Sequence, residues 1–450
     1  MIRAFWRIVY NPPECPNGKP SRNLFGLLSV DHLFLLIGEN PLPNYVAAKL
    51  LLKEGGTIYL VHTAGTVEQA KRLQNILSSE RNGLKAELRS LNDYESDAYY
   101  IQKEIGEKLK RIKSGKIGLN YTGGTKAMST HAYRTLFYEK ITDRTYKQRA
   151  DIIFSYLDPR RLEMCIDRED NERIRLKIKP DTLQVKLVEI FQLHGLELKQ
   201  NPTEQAQQAK LPQLATELAN VFKEETKSKQ WFDWFYNVFR EQTYKQKSNG
   251  GRDWKSKTSL MEVSISLEKL PEEIVAAFKQ ENFVTPDAQL SLQEVQKTGV
   301  FKEVKSFCKW LDGIWLEHYV LEQVKKIAHS QLITDYGLNF EIPLTGTRDG
   351  FEFDVAFTRG YQLFAISCTT TDKRGTCKLK LFEAYLRAKQ MGGDEARVAL
   401  ICCSGEPDTL KAEMTETLAK NKIAVFGRED FVNLSNKITE WITQNDREAK

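Results

Sequence analysis

The segment His32–Gly38 (HLFLLIG) is a short apolar run closed by glycine, and a polar, proline-stiffened stretch, Glu39–Asn44 (ENPLPN), separates it from a helical pattern over Tyr45–Lys53. Thr57–Thr63 (TIYLVHT) then reads as a strand, Val67–Leu77 as a helix and Ala98–Lys113 as a charged helix. Ile117–Asn120 is a brief strand that runs into a glycine turn at Tyr121–Thr125 and a helix over Lys126–Leu136, with a further strand at Asp151–Leu157. Strands alternating with helices of about ten to fifteen residues predict a Rossmann-like parallel sheet with crossover helices, whose ligands sit beyond the carboxyl ends of the strands. Both polar loops fall at those ends.

From about Pro180 to Phe307 the pattern is mostly helical and polar, punctuated by Pro202, Pro212, Pro271 and the Gly250–Gly251 pair. A new unit begins near Lys309 with a helix through Lys326. Strand-like runs follow at Asn339–Pro343, Phe351–Phe357 and Gln362–Cys368, then a helix over Leu379–Gln390, a strand at Arg397–Cys402, a helix near Thr409–Lys420 and a strand at Ile423–Phe426. The expected class is α/β in three parts: a Rossmann-like domain over 1–165, a mostly helical connecting module over 166–307 and a compact α/β unit over 308–450. No internal repeat is present.

Length agrees, since 450 residues at about 150 per domain suggest three domains. Hydrophobic residues at 41%, charged residues at 28% and a mean hydropathy of −0.47 describe a globular chain. No run approaches the ~20 apolar residues of a spanning helix, and the first residues lack a signal-peptide pattern. Seven scattered cysteines without a C-x-x-C pair speak against a disulfide scaffold or a cysteine zinc site. A cytoplasmic protein without membrane contact is expected. The net charge of +6 is mild, but Lys223–Lys257 holds nine Lys/Arg against five Asp/Glu, interleaved with Trp231, Phe232, Trp234, Phe235, Tyr236, Phe239, Tyr244 and Trp254. That mixture suits a nucleic-acid groove, where cations meet phosphate and rings stack bases. It equally suits an amphipathic helix whose aromatics are core beside a solvated basic loop.

The turn Thr122-Gly123-Gly124-Thr125-Lys126 opens a helix. Glycines let the backbone come close to a ligand, the first amides of the helix carry partial positive charge, and Lys126 adds a full one, so the turn suits phosphate. Its spacing is neither that of a Walker A loop nor G-x-G-x-x-G. Gly38, Glu39, Asn40, Pro43 and Asn44 form the second loop of the same sheet edge, with polar groups for a base or ribose.

HLFLLIGENPLPNYVAA together with LNYTGGTKAMS is similar to the CARF domains of CRISPR-associated effectors, over roughly Leu33–Asp158. The resemblance implies binding of a cyclic oligoadenylate across a homodimer interface, with Gly38, Glu39, Asn40, Pro43, Asn44 and Thr122–Lys126 around the ring. Cyclic tetra-adenylate carries four phosphates on two-fold-compatible symmetry, which fits an isologous dimer offering two such helix starts. Cleavage of the ring by this pocket is an alternative, needing only an aligned 2′-hydroxyl and groups that support charge. None of the six histidines has an arginine at the R-x4-6-H spacing, which discounts a HEPN-type ribonuclease.

A second constellation lies in GFEFDVAFTRGYQLFAISCTTT, Gly350–Thr371. Alternation puts Glu352 and Asp354 on one face of the first strand and Ser367 and Thr369 on one face of the second, while Glu317 sits on the preceding helix. Carboxylates from a helix and a strand suit Mg²⁺ or Mn²⁺. The unit resembles the PD-(D/E)xK nuclease fold fused to CARF domains: DGIWLEHYVLEQV matches the helix before the site, FEFDVAF the strand bearing the metal aspartate, and KLFEAYLRAKQMGGDEARVALI the following helix and strand, a resemblance that implies Glu317 and Asp354 as metal ligands. Where that family has E-x-K, this chain has Ser367-Cys368-Thr369. Glu352 or Glu383 could replace the missing carboxylate, and Lys373, Lys378 or Lys380 the missing cation, with Lys378 carried as the candidate. The resemblance implies a type III CRISPR ancillary effector in which the ring activates a metal-dependent nuclease on DNA and/or RNA. The alternative is a non-catalytic sensor whose degenerate nuclease-like domain only binds nucleic acid or protein.

Overall fold

The computed structural model describes residues 22–80, 84–140, 145–149, 152–167, 174–196, 207–246, 251–342 and 351–449; of residues 22–24, 140, 339, 341–342 and 351–352 only the backbone is described. The N-terminal unit contains β1 (Val30–Leu36), α1 (Leu42–Leu51), β2 (Leu52–His62), α2 (Val67–Glu80), β3 (Lys85–Ser90), α3 (Ala98–Arg111), β4 (Ile117–Asn120), α4 (Lys126–Phe137), β5 (Ile152–Asp158), β6 (Glu163–Asp167) and β7 (Ile174–Lys177). These strands form one sheet of order β3-β2-β1-β4-β5-β6-β7. The first five run parallel, and β6 and β7 return antiparallel.

Strict alternation along β1 and β2 explains the two buried faces. Leu33, Leu35, Ile58 and Leu60 pack with Tyr45 and Leu73 from α1 and α2. Phe34, Leu36, Tyr59 and Val61 pack with Ile105 of α3 and Met128 of α4. Each such side chain contributes roughly 1.5–3 kcal/mol of transfer free energy. β2 starts directly after α1, so the helix expected through Lys53 ends at Leu51. The sheet runs on past residue 165 to Lys177.

The middle of the chain is mostly helical, with α5 (Leu187–Leu193), α6 (Pro212–Lys223) and a helical stretch from Glu225 to Thr243, and it also carries two two-stranded antiparallel sheets, Tyr244–Gln246 with Arg252–Trp254 and Ser264–Ser266 with Gln289–Ser291. Trp231, Trp234, Phe235, Phe239 and Trp254 are buried there, while Tyr236 is 46% exposed. Packing therefore accounts for most of the aromatics in the basic stretch. This core is continuous with that of the C-terminal unit: the rings of Phe222 and Trp315 lie 4.9 Å apart.

The C-terminal unit comprises α7 (Trp315–Ala328), β8 (Ile333–Ile342), β9 (Phe351–Arg359), β10 (Gln362–Thr369), α8 (Arg374–Gly392), β11 (Arg397–Cys402), α9 (Pro407–Thr415), β12 (Ile423–Phe426) and α10 (Leu434–Glu448). Its sheet has the order β8-β9-β10-β11-β12, antiparallel through β10 and parallel from there on. The strand expected at Asn339–Pro343 is the end of a longer β8, with Pro343 outside the described residues. α7 and α10 cover the face of Val355, Ile366 and Cys368. Cys377, Leu381, Ala384 and Ala388 of α8 cover the other, with Ala356, Ala365 and Leu400, and that cluster extends into the core of the N-terminal unit. Among the described residues no helix is long and apolar enough to cross a membrane.

Candidate functional site

The glycine turn leaves the central strand β4 and enters α4 at the strand ends. Thr125 caps the helix, its Oγ accepting from the Met128 amide at 3.1 Å. The turn is pressed against β1: a Cβ on Gly123 would lie 2.2 Å from the Leu36 carbonyl oxygen, and Gly124 has φ +75°, in the left-handed region. A Cβ on Gly38 would come within 3.1 Å of the Gly124 nitrogen, so the two loops touch backbone to backbone. The amides of Gly123, Gly124, Lys126 and Ala127 carry no hydrogen bond among the described residues. They form, with the exposed Lys126, a donor-rich edge suited to an anion.

Other residues of the expected ring-binding set make contacts within the fold. Asn44 is fully buried and donates from Nδ2 to the Leu36 carbonyl at 2.9 Å. Thr122 Oγ1 accepts from the Leu157 amide at 2.7 Å, tying the turn to β5. Asn40 turns toward the C-terminal unit: Oδ1 accepts from the Leu42 amide at 2.9 Å and lies 3.3 Å from His194 Nε2, while Nδ2 is 2.7 Å from where a Gly393 Cβ would stand. Glu39 is exposed, and Gly38 and Pro43 are half-buried. Neither His194 nor Gly393 (φ +64°) was legible as part of this region, because both reach it only through the fold.

The second site gathers at β9 and β10. Asp354, buried, accepts at Oδ2 from Ser367 Oγ at 3.0 Å and from the Cys368 amide at 2.5 Å. Lys380 Nζ of α8 stands 3.8 Å from the same oxygen and donates to the Cys368 carbonyl at 3.2 Å. Glu317 is half-buried on α7. Burial pushes the Cys368 thiol well above its ordinary pKa; Asp354 and Glu317 add to that rise and Lys380 opposes it.

The remaining candidates lie elsewhere. Lys378 pairs with Glu413 at 2.7 Å, beside Arg374 on the same carboxylate, and so points away from Asp354. Thr369 accepts from the Thr371 amide at 3.5 Å, and Glu383 is exposed one turn along from Lys380. The Glu352 side chain lies outside the described residues. His318 is buried, accepts from the Lys210 amide at 2.8 Å and is held neutral, its pKa pushed down to about 3 by burial and the neighbouring Lys210 and Lys325.

Mg²⁺ typically takes one or two carboxylates, keeping waters and substrate phosphate as its other ligands. Ser367 and the Cys368 amide hold Asp354 Oδ2 and leave Oδ1 without a hydrogen bond among the described residues, so this carboxylate has the chemistry of one such ligand. No cluster of three or more His, Cys, Asp or Glu suited to a metal occurs among the described residues.

The two sites are joined by α8. It carries Lys380 near its start, and at its end Arg387, Lys389, Gln390 and Met391 line a cavity of about 360 Å³ with Glu39, Asn40, His194 and Leu196.

The glycine turn and its partner loop fall within residues 33–161, which match the family model of the Card1 CARF domain. Residues 33–161 are a CARF domain. Beyond it the likeness is one of fold. Protein VC1899 from Vibrio cholerae superposes with a TM-score of 0.61 at 16% identity, over 92% of this chain and 98% of its own. Can2 from Sulfobacillus thermosulfidooxidans, solved in complex with cyclic tetra-adenylate, gives 0.61 at 15% identity, over 94% and 99%. The fold is thus shared along nearly the whole chain. No curated protein matches the chain by sequence.

Proposed function

We propose that this chain is a cyclic-oligoadenylate-responsive CRISPR effector whose CARF domain senses the ring and whose C-terminal domain acts on nucleic acid as a metal-dependent nuclease. The observation that carries the sensing half is the backbone contact between Gly38 and the Gly123–Gly124 turn, which leaves a row of amides free beside Lys126. A phosphate of the ring meets those amides, and a second copy of the chain supplies the matching half. The solved complex of Can2 with cyclic tetra-adenylate supports a ring of that size.

On the output side, Asp354 and Glu317 would hold the cation, which when bound supplies charge neutralisation at the scissile phosphate and an acidified water. Ser367 fixes the Asp354 carboxylate, and Lys380 brings the positive charge that the E-x-K lysine provides in the related fold. Control runs through α8. As a 19-residue helix about 28 Å long, it is stiff enough to carry a displacement at Glu39–Asn40 to Lys380. Ring binding that favours one of two α8 positions shifts the output by its differential affinity.

The deciding experiment is cleavage of DNA and RNA with Mg²⁺ or Mn²⁺, with and without cyclic tetra-adenylate. Ring-dependent cleavage is expected. Ring-dependent nucleic-acid binding without cleavage in either metal selects the second reading, a non-catalytic sensor, which the hydroxyl at Ser367 in place of a carboxylate favours.

A further inference from the structure

Three tyrosines stand in water next to the glycine turn, and the pocket as described above leaves them unused. The segment between β3 and α3 crosses the same strand ends, and Thr125 Oγ1 donates to the Glu95 carbonyl at 3.2 Å, fastening it to the turn. Tyr94 stacks on Tyr100 with ring centroids 4.0 Å apart and planes 9° from parallel, and Tyr99 meets Tyr100 edge-on at 5.7 Å. They are 44%, 36% and 69% exposed for Tyr94, Tyr100 and Tyr99.

The placement is rigid. Asp97 caps α3, its Oδ1 accepting from the Tyr99 and Tyr100 amides at 2.8 and 3.1 Å. The Tyr94 amide donates to the Leu91 carbonyl, and the Asp97 amide to the Tyr94 carbonyl, both at 3.0 Å. Just below, Ile101 and Ile105 anchor the helix in the core. Exposed apolar rings held in order, rather than folded down, are available surface for a flat partner at little further entropic cost.

We propose that Tyr94, Tyr99 and Tyr100 form a stacking platform for a base of the nucleotide whose phosphate is held at Gly123–Lys126. Aromatic faces stack bases irrespective of sequence. Asp93, Glu95 and Asp97 lie in the same segment, and their charge keeps phosphate off the platform while suiting a base with an exocyclic amine, such as adenine. Phosphate and base are thus sorted between two neighbouring elements: the amide-rich turn takes the anion and the acidic, aromatic segment takes the ring. This inference rests on the sensing half of the proposed function.

The test is calorimetric titration of the full-length protein with cyclic tetra-adenylate, comparing the parent with Tyr99→Leu, with Tyr94→Leu/Tyr99→Leu and with Tyr99→Phe. The expected result is a roughly five- to hundredfold weaker Kd for the leucine variants, in line with one lost stacking contact, and near-parental binding for Tyr99→Phe. Circular dichroism checks folding, and light scattering reports the oligomeric state. Equal affinity in parent and leucine variants overturns the platform alone. So does a leucine variant that loses self-association without a change in ring affinity, since the tyrosines then serve a protein contact. Absence of heat with the parent overturns the sensing reading and the platform with it.

Discussion

The CARF pocket and the carboxylate site differ in what they are made of. The first is built from backbone: glycines that admit a close approach, unbonded amides, a capped helix start. The second is built from side chains on β9, β10 and α8: Ser367 donates to the Asp354 carboxylate, and Lys380 stands 3.8 Å from it. A backbone site tolerates drift in surrounding side chains but no Cβ at the contact. A side-chain site can lose one group and recruit another of like charge from a neighbouring element. The two are therefore broken by different substitutions.

The largest effect is expected at Asp354. Asp354→Asn keeps the shape and the Ser367 contact but removes the charge that Lys380 and a cation address. Ring-stimulated cleavage should fall on the order of a thousandfold, with ring affinity by calorimetry unchanged. Lost ring affinity in a folded Asp354→Asn protein would mean that the two sites are not separable in this way.

Gly123→Ala reverses the pattern. Its new methyl would lie 2.2 Å from the Leu36 oxygen, so β1 and the turn must part. A destabilisation of roughly 1–3 kcal/mol in chemical denaturation is expected, together with at least about a hundredfold weaker ring binding, the latter because the amides lose their common aim. Parental ring affinity in this variant would show that the ligand does not use the turn.

Next comes the choice between two lysines. Lys380→Met should lower cleavage roughly a hundredfold and Lys378→Met by no more than about twofold, since Lys378 is spent on an exposed pair with Glu413. The reverse order would move the site to the other flank of α8.

These lysines also show where sequence reading stops. Cys377, Leu381, Ala384 and Ala388 mark the buried stripe of α8 plainly, and Lys378 and Lys380 flank that stripe on opposite sides, at about 100° per residue. Which flank meets β9 is decided by the packing of the whole unit, not by the stripe. The glycine turn was legible because strand, Gly-Gly and capped helix are contiguous. Its closure against Leu36 and Asn44 was not, because those groups lie some eighty residues away in sequence. β3 (KAELRS) escaped because an edge strand with half-polar faces has no strong period. Asn40 looked like a ligand for a base; only the fold shows it aimed at His194 and Gly393.

Asn40 therefore tests the link between the regions. Asn40→Ala deletes the contact at the end of α8 and the bond from the Leu42 amide, costing about 1 kcal/mol. Ring affinity should stay within about threefold while ring stimulation of cleavage drops about tenfold, a loss of coupling rather than of either site. Equal losses in affinity and stimulation would return Asn40 to the ligand-binding set.

The smallest effect concerns pH at this same junction. Burial, with Asp394 adding and Arg397 opposing, pushes the Glu395 carboxyl up to about 7, and burial pushes His194 down to about 4. A carboxyl raised in the folded state stabilises it below about pH 4.5, and that contribution fades as pH rises through 7. A histidine lowered in the folded state stabilises it above about pH 6.5, and that contribution fades as pH falls toward 4. The two slopes oppose each other over the same window, each amounting to at most about 3 kcal/mol, so the parent should show a nearly flat contribution from this junction. Each single variant unmasks the other partner: Glu395→Gln should make Tm climb by a few degrees between pH 4.5 and 7 relative to the parent, and His194→Gln should make it decline by a similar amount. Identical Tm profiles for parent and both variants would show that neither group changes its protonation on folding, and the contact between CARF loop and α8 would then be indifferent to charge.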